Sequence, residues 1–325
     1  MSILSNFFLE KLRSQKIDLP AVLFSDFDDT YLYKSTYNPK QELLRVEDEK
    51  KYLPSLALHS FLVNNKIPLI IVSGRDFFQI TKLQSTFTSL FPHLSTIFDF
   101  DIFIGAVGTE IWIKNENNTF VECKNYISYI ESTFSFKRDE LFPVCVKLID
   151  TMQLKFPEAQ FRFQKMHEQK LKISFEFESS SHQTSELVKA VHQFFMSSIQ
   201  EAHPLILSYQ HQGNGMNTYN LDLVPCGKDR AVEYVIDSIF SSFGKVICFT
   251  AGDAGNDTSM LFNTKSIGIV VSNSKPELVN YVKTLQLMPI RKNFFSFQSK
   301  TCYISPNTLS PAQSIQQAIE DYFQK

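Results

Sequence analysis

Several protein classes are argued against by what this sequence lacks. Its five cysteines, Cys123, Cys145, Cys226, Cys248 and Cys302, are odd in number and show no CxxC spacing. A disulfide framework or a zinc site is therefore not expected, and a reducing compartment is. The seven histidines show no HxH or HExxH spacing and read as surface or packing residues. An excess of one charge is missing too. Lys and Arg number 32 against 34 Asp and Glu, a formal net charge of −2, and no basic block stands out. Nucleic acid is not an expected partner. No apolar run approaches the roughly 18 residues that span a bilayer. In MSILSNFFLEKLRSQKIDLP the charges Lys11 and Arg13 follow the apolar stretch, the reverse of a secretory signal. That segment reads as a short amphipathic helix. No membrane partner is expected, and the chain reads as cytoplasmic. It has no low-complexity linker.

What is present is a globular pattern. The 325 residues suffice for one large domain or two ordinary ones, with 43% hydrophobic and 20% charged residues. The 31 phenylalanines are dispersed along the chain and read as core filling. Apolar runs rich in β-branched residues recur at Ala21–Ser25, Ile67–Val72, Ile102–Gly105, Val246–Thr250 and Ile267–Val271. Helical patterns such as Lys228–Phe243 and Lys275–Leu285 lie between or after them. Short all-apolar strands alternating with helices predict an α/β fold, a doubly wound parallel sheet covered on both faces. From about Ile111 to Asn220 the pattern changes. A hairpin (Ile111–Lys114, Thr119–Glu122) precedes a long helical region, Ile127–Phe156. Strands Gln160–Lys165 and Lys170–Glu178, a helix Ser185–Ile199, and strands Leu205–Gln210 and Asn217–Val224 follow. In the second of these strands Leu171, Ile173, Phe175 and Phe177 share one face, and Lys172, Ser174, Glu176 and Glu178 the other. The order α-β-β-α-β-β, a weak αββ duplication, predicts an inserted α+β unit. The expected division is a core of residues 1–112 and 222–325 around an insert of 113–221. The terminal SPAQSIQQAIEDYF reads as a closing amphipathic helix capped at Ser310 or Ser314.

The chemistry concentrates at strand ends. In AVLFSDFDDTYL an apolar run stops at Asp26, Asp28 and Asp29, with Thr30 following. Residues i and i+2 of a strand share a face, so Asp26 and Asp28 project together while Phe27 points into the core. Paired carboxylates at the carboxyl end of a parallel strand repel unless a cation or proton is shared. After Ile70-Ile71-Val72 comes Ser73-Gly74-Arg75, a hydroxyl and a glycine able to bind a phosphate oxygen, or simply to cap a helix. After Val246–Thr250 comes Gly252-Asp253-Ala254-Gly255-Asn256-Asp257, which adds two carboxylates and an amide. Lys228, opening the helix KDRAVEYVI, offers a fixed positive charge.

DFDDT, SGR, GKDRAV and GDAGND, in that order, resemble the four motifs of the haloacid dehalogenase (HAD) superfamily of phosphatases. The inserted unit resembles that superfamily's C2B cap. GTEIW (Gly108–Trp112), YNLDLVP (Tyr219–Pro225) and AGDAGNDTSML resemble the branch containing sucrose-phosphate phosphatase and kanosamine-phosphate phosphatase. The resemblance implies a Rossmann-like core and a magnesium-dependent phosphatase acting on a small sugar phosphate. By it, Asp26 would be the nucleophile that forms an aspartyl-phosphate, and Asp28 the acid and base. Mg²⁺ would be held by Asp26, the Asp28 carbonyl and Asp253. Asp257 would support the metal or Lys228, and Thr30 completes the first motif. Ser73, Gly74, Lys228 and Asn256 would hold the phosphoryl oxygens. The cap would close over the core and select the leaving group, with Arg75, Glu110, Gln164, Lys165, Lys172, His211 and Asn217 as sugar contacts. Asp29 is left as a turn residue.

One departure stands out. Pro225-Cys226-Gly227-Lys228 is two residues shorter than the family spacing from proline to lysine. Ungapped counting places Arg230 where the lysine belongs. Keeping Ala231, Val232 and Val235 at apolar helix positions favours Lys228. The competing functions are a phosphomutase of the same superfamily and a catalytically silent sugar-phosphate-binding regulator. Acyl or haloalkane chemistry is disfavoured by Asp28.

Overall fold

The computed structural model describes residues 4–15, 19–33, 48–134, 137–163, 171–179, 184–198, 205–211 and 217–324. In chain order these form α1 (Asn6–Arg13), β1 (Ala21–Asp26), α2 (Glu49–Asn64), β2 (Leu69–Val72), α3 (Phe77–Leu90), β3 (Ile102–Gly105), β4 (Glu110–Lys114) and β5 (Phe120–Glu122). Next are α4 (Lys124–Phe134), α5 (Arg138–Lys155), β6 (Ala159–Phe163), β7 (Ile173–Ser179), α6 (Thr184–Ser198), β8 (Leu205–His211) and β9 (Asn217–Leu223). The chain closes with α7 (Lys228–Phe243), β10 (Ile247–Gly252), α8 (Thr258–Leu261), β11 (Ile267–Val270), α9 (Pro276–Thr284), β12 (Met288–Arg291), β13 (Phe294–Phe297), β14 (Lys300–Ile304) and α10 (Pro311–Phe323). Two compact units result: the described residues up to Tyr126 and from Lys228 onward, and residues 127–227. No helix among the described residues is long and apolar enough to cross a membrane.

The first unit is built on a ten-stranded sheet in the order β12-β13-β14-β11-β10-β1-β2-β3-β4-β5. Its middle is parallel: β1 lies between β10 and β2, and β3, β11 and β14 continue in the same direction. All six residues of β1 are buried, as a strand covered on both faces requires. Many of the phenylalanines fill this core, while Phe7 and Phe78 are exposed. Phe27 packs against Phe98 with ring centroids 5.7 Å apart, and Tyr52 meets Phe87 edge-on at 5.0 Å. The amphipathic α1 buries Phe8, Leu9 and Leu12, and Lys11 pairs with the buried Asp101 at 2.8 Å. The closing α10 starts at Ser310, whose hydroxyl accepts from Gln313 N in a capping box.

Two expectations need correction. The hairpin β4–β5 does not belong to the inserted unit. It extends the central sheet, with Gly105 opposite Glu110 and Ile104 opposite Ile111. The insert therefore starts after Tyr126 and not at 113. At its other end β9 pairs along its whole length with β7 and β8, so residues 222 and 223 belong to the insert and the core resumes at Lys228. The long helical region 127–156 is also two helices, α4 and α5.

With its first helix split in two, the second unit runs α-α-β-β-α-β-β and has an antiparallel sheet β6-β7-β9-β8. Ile173, Phe175, Phe177, Leu221 and Leu223 are buried, and Phe175 stacks on Phe195 of α6 at 4.4 Å. The other face is not simply solvated. Arg162 pairs with Glu176 and Glu178 across the β6–β7 ladder. Lys172, only 5% exposed, pairs with Asp222 at 3.1 Å, and Ser174 donates to the same carboxylate.

Candidate active site

The parallel registers carry the motifs to one edge of the sheet. Asp26 is opposite Val72, Ser25 opposite Ala251, and Gly252 opposite Val270. The residues just past these strands, Asp26–Thr30, Ser73–Arg75, Asp253–Asp257 and Val271–Lys275, thus share the carboxyl end. From β1 the chain runs outward through β2 and β3 on one side, and from β10 to β11 on the other, so the β1/β10 boundary is the switch point where open sheets bind ligands.

A buried charge network centres there. Lys228, 1% exposed at the first turn of α7, donates to Asp26 Oδ1 at 2.6 Å and Asp257 Oδ1 at 2.7 Å. Arg230 does neither; half-exposed, it pairs with Glu233 at 3.1 Å. Of the two cations, Lys228, the one that the helix pattern favours, meets the motif carboxylates. Asp257 Oδ2 accepts the backbone N–H groups of Asp253 and Ala254, each at 3.2 Å, which fixes the glycine turn. A Cβ at Gly252 would lie 2.6 Å from Asp257 Cβ, so this approach needs glycine. Thr30 Oγ1 donates to Asp253 Oδ1 at 3.2 Å, joining the first motif to the fourth.

Oxygens of Asp26, Asp253 and Asp257 lie within 4.8 Å of one another, and all three residues are buried. Three carboxylates against one buried ammonium leave two negative charges, the charge of one divalent cation. Burial pushes the Asp26 carboxyl well above the usual range, and Asp257 and Asp253 add to this while Lys228 pulls it back. Burial and then Asp257 push Asp253 up to about 7. Burial alone would lower Lys228, but Asp257 and Asp26 more than offset it and keep the ammonium charged. Asp253 Oδ2 is buried without a hydrogen-bond partner. A buried carboxylate oxygen that accepts no hydrogen bond, in a cluster of three carboxylates around one buried ammonium, fits a hard cation. The Asp28 side chain is not in the cluster.

Asp28 is instead held by Arg75 in a bidentate pair, with Nε to Oδ2 and Nη2 to Oδ1 both at 2.9 Å. Arg75, expected as a sugar contact, thus gives its guanidinium to a protein carboxylate. Ser73 is 1% exposed, and its Oγ accepts from Arg75 N at 3.1 Å. Gly74 follows it in the same loop, and Asn256 is half-buried on the glycine turn. Beneath Ser73–Arg75 lies a strained turn. Ala106 and Val107 have φ of 48° and 64°, costly for a β-branched residue. Their N–H groups donate to Arg75 O at 2.7 Å and Ser73 O at 3.1 Å.

Glu110, also expected as a sugar contact, belongs to this floor. Its Oε1 accepts Phe77 N at 2.6 Å, at the start of α3, where Asp76 forms the N-cap with a Gln79 capping box. A Cβ at Gly105 would lie 2.3 Å from that oxygen. Burial raises Glu110 to about 7 against the opposing Phe77 hydrogen bond. Below about pH 4.5 the residue is protonated in folded and unfolded chains alike. Between about 4.5 and about 7 the unfolded chain releases the proton and the folded chain keeps it, so stability falls as pH rises. Glu110→Gln removes that slope. Its stability relative to the parent chain should rise by up to about 3 kcal/mol between pH 4.5 and 7.5. Denaturant unfolding at several pH values tests this, and parallel profiles for the two proteins would refute it.

Sequence reasoning missed Lys275. Its Nζ lies 3.1 Å from Asp29 Oδ2 and 3.4 Å from Asp253 Oδ2. It sits past the β11 tip, so the rule that ligands gather at parallel strand ends could have found it. Asp29, left as a turn residue, has φ of 60° and turns its carboxylate to this lysine. Of the cap candidates, Lys172 is committed to Asp222, and His211 and Asn217 stand on β8 and β9. Gln164 and Lys165 lie outside the described residues.

The family described as Sucrose-6F-phosphate phosphohydrolase matches residues 19–301. No curated protein sequence matches. Among solved structures, a haloacid dehalogenase-like hydrolase from Bacteroides thetaiotaomicron aligns with TM-score 0.51 at 14% identity, covering 93% of this chain and 99% of that one. A protein from Thermoplasma acidophilum aligns with TM-score 0.50 at 12% identity, covering 94% and 98%. At such identities the likeness speaks for the fold.

Proposed function

The chain belongs to the sucrose-6F-phosphate phosphohydrolase family and is a HAD-superfamily phosphatase; from that premise we propose that it hydrolyses a small sugar phosphate through phosphorylated Asp26, with Mg²⁺ as cofactor. The observation that carries the reading is the buried network of Lys228 with Asp26 and Asp257, set beside the buried Asp253 Oδ2, which accepts no hydrogen bond.

In this reading Lys228 orients Asp26 and adds positive charge where the phosphoryl group arrives. The Asp26 carboxylate forms a bond to phosphorus as the bond from phosphorus to the sugar oxygen breaks. Asp28 gives that oxygen a proton, then takes one from the water that attacks phosphorus, releasing phosphate and restoring Asp26. The bidentate Arg75 pair fixes the direction of the Asp28 carboxyl group. Ser73, Gly74 and Asn256 hold the phosphoryl oxygens, since positioning and charge stabilisation dominate phosphoryl transfer. Asp26, the Asp28 carbonyl and Asp253 would hold Mg²⁺, whose charge offsets the repulsion between carboxylate and phosphate.

Phosphate release from sucrose 6F-phosphate and from glucose, mannose, trehalose and amino-sugar phosphates tests the reading. Release concentrated on one or two of these, and falling by about a hundredfold or more on chelation, is the expected outcome. Silence across the panel, isomerised sugar phosphate in place of phosphate, or turnover indifferent to chelator would each overturn it.

A further inference from the structure

Lys275 and Asp29 form an ion pair that is locked by the backbone at both ends. Lys275 is the N-cap residue of α9, and its N–H donates to Asp253 O at 2.6 Å. Asp29 holds a left-handed conformation in which its N–H donates to Leu32 O at 2.8 Å, and its carbonyl accepts from Asn273 Nδ2 at 2.8 Å. Three loops, those after β1, β10 and β11, therefore fix where the Lys275 ammonium lies. It reaches Asp29 Oδ2 at 3.1 Å and Asp253 Oδ2 at 3.4 Å. The second oxygen is the buried one without a hydrogen bond. The pair is neutral as a whole, yet its positive end points at the carboxylate best suited to a metal.

We propose that Lys275, with Asp29 as its counter-ion, sets the divalent-cation affinity of the site. The inference rests on the reading that a divalent cation binds at Asp26 and Asp253. An ammonium beside Asp253 Oδ2 repels an incoming cation and holds the oxygen in place while the site is empty. Asp29 opposes this by drawing the ammonium away and adding negative charge nearby. The two residues therefore act on affinity in opposite directions. A residue that merely supported the loops would weaken binding whichever member was changed.

The test is Mg²⁺ titration of the full chain by calorimetry without phosphate, with thermal unfolding as a check that each variant is folded. Lys275→Gln should bind Mg²⁺ about tenfold more tightly and Asp29→Asn about tenfold more weakly, as expected for removing one charge near a partly exposed site. The double variant should return to within about threefold of the parent, because the two terms cancel. Lys275→Arg keeps the charge and should leave the affinity unchanged within the same factor. If the parent binds Mg²⁺ and Lys275→Gln binds it equally or more weakly, the inference fails and the metal reading stands. If the parent takes up no Mg²⁺, both fail together. Should Lys275→Gln not fold, Lys275→Met carries the same expectations.

Discussion

Asp26→Asn should lower kcat by about four to six orders of magnitude while making the metal-free protein more stable. The amide has nearly the carboxylate's shape, and its oxygen can still accept from Lys228, now 2.6 Å from Oδ1. What is lost is the nucleophile, and removal of a nucleophile costs the largest factors that single substitutions give. What is gained is relief of charge. Asp26 is buried beside Asp253 and Asp257, and its carboxyl is held well above the usual range by that burial and those neighbours. A neutral amide removes one of three carboxylates from a cluster with one buried ammonium. Activity and stability therefore move in opposite directions, as at a site that holds unfavourable charge for use. Phosphate release and thermal unfolding in chelator measure the two. Activity within tenfold of the parent, or a lower unfolding temperature, would rule the assignment out.

Lys228→Met should be damaging in both respects. Removing the ammonium strands Asp26 and Asp257, both of which it meets within 2.7 Å. Breaking a buried pair by deleting one partner costs about 3–5 kcal/mol. Loss of a fixed charge at the reacting group adds about two to three orders of magnitude in kcat. Arg230→Ala is the matched control. Arg230 is half-exposed and meets Glu233 in a pair of the surface kind, worth under about 1 kcal/mol. Its activity should equal that of the parent. An active Lys228→Met beside an inactive Arg230→Ala would reverse the assignment of the cation.

The legible parts of this molecule are those where one local pattern decides the outcome. β1, β2, β3, β10 and β11 are mostly apolar runs, and in β1, β2, β10 and β11 polar residues gather at or just past the carboxyl end. Parallel pairing alone then brings Asp26, Ser73 and Asp253 to one edge. The bounds of α7 follow from apolar spacing, and α10 from its serine cap. The sequence places the hairpin β4–β5 at the start of the insert, whereas its pairing with β3, a non-local choice, puts it in the central sheet. The β3–β4 turn also uses positive φ at Ala106 and Val107, residues with no turn signature. The same reason hides β12–β14, whose turns place Asn293, Gln298 and Ser299 at positive φ without a glycine. Arg75 and Glu110 were found as polar residues in motifs, but composition says nothing of direction. One clamps Asp28 and the other closes the start of α3. The position of Lys275 past the β11 tip is legible, but its pairing depends on the left-handed turn at Asp29, which aims a carboxylate at it.

Everything proposed for this site turns on which atom receives the phosphoryl group. The direct test is to quench the protein in acid during turnover of its preferred sugar phosphate, with Mg²⁺ present, and to reduce it with borohydride. Reduction converts a phosphorylated aspartate side chain to an alcohol and leaves free carboxylates alone. Peptide mapping should find the change at Asp26, at higher occupancy in Asp28→Asn, where water activation is impaired, and not in Asp26→Asn. A phosphoryl group on another side chain, or steady turnover with Asp26 unmodified in every quench, would mean that the carboxylate at the tip of β1 is not the nucleophile.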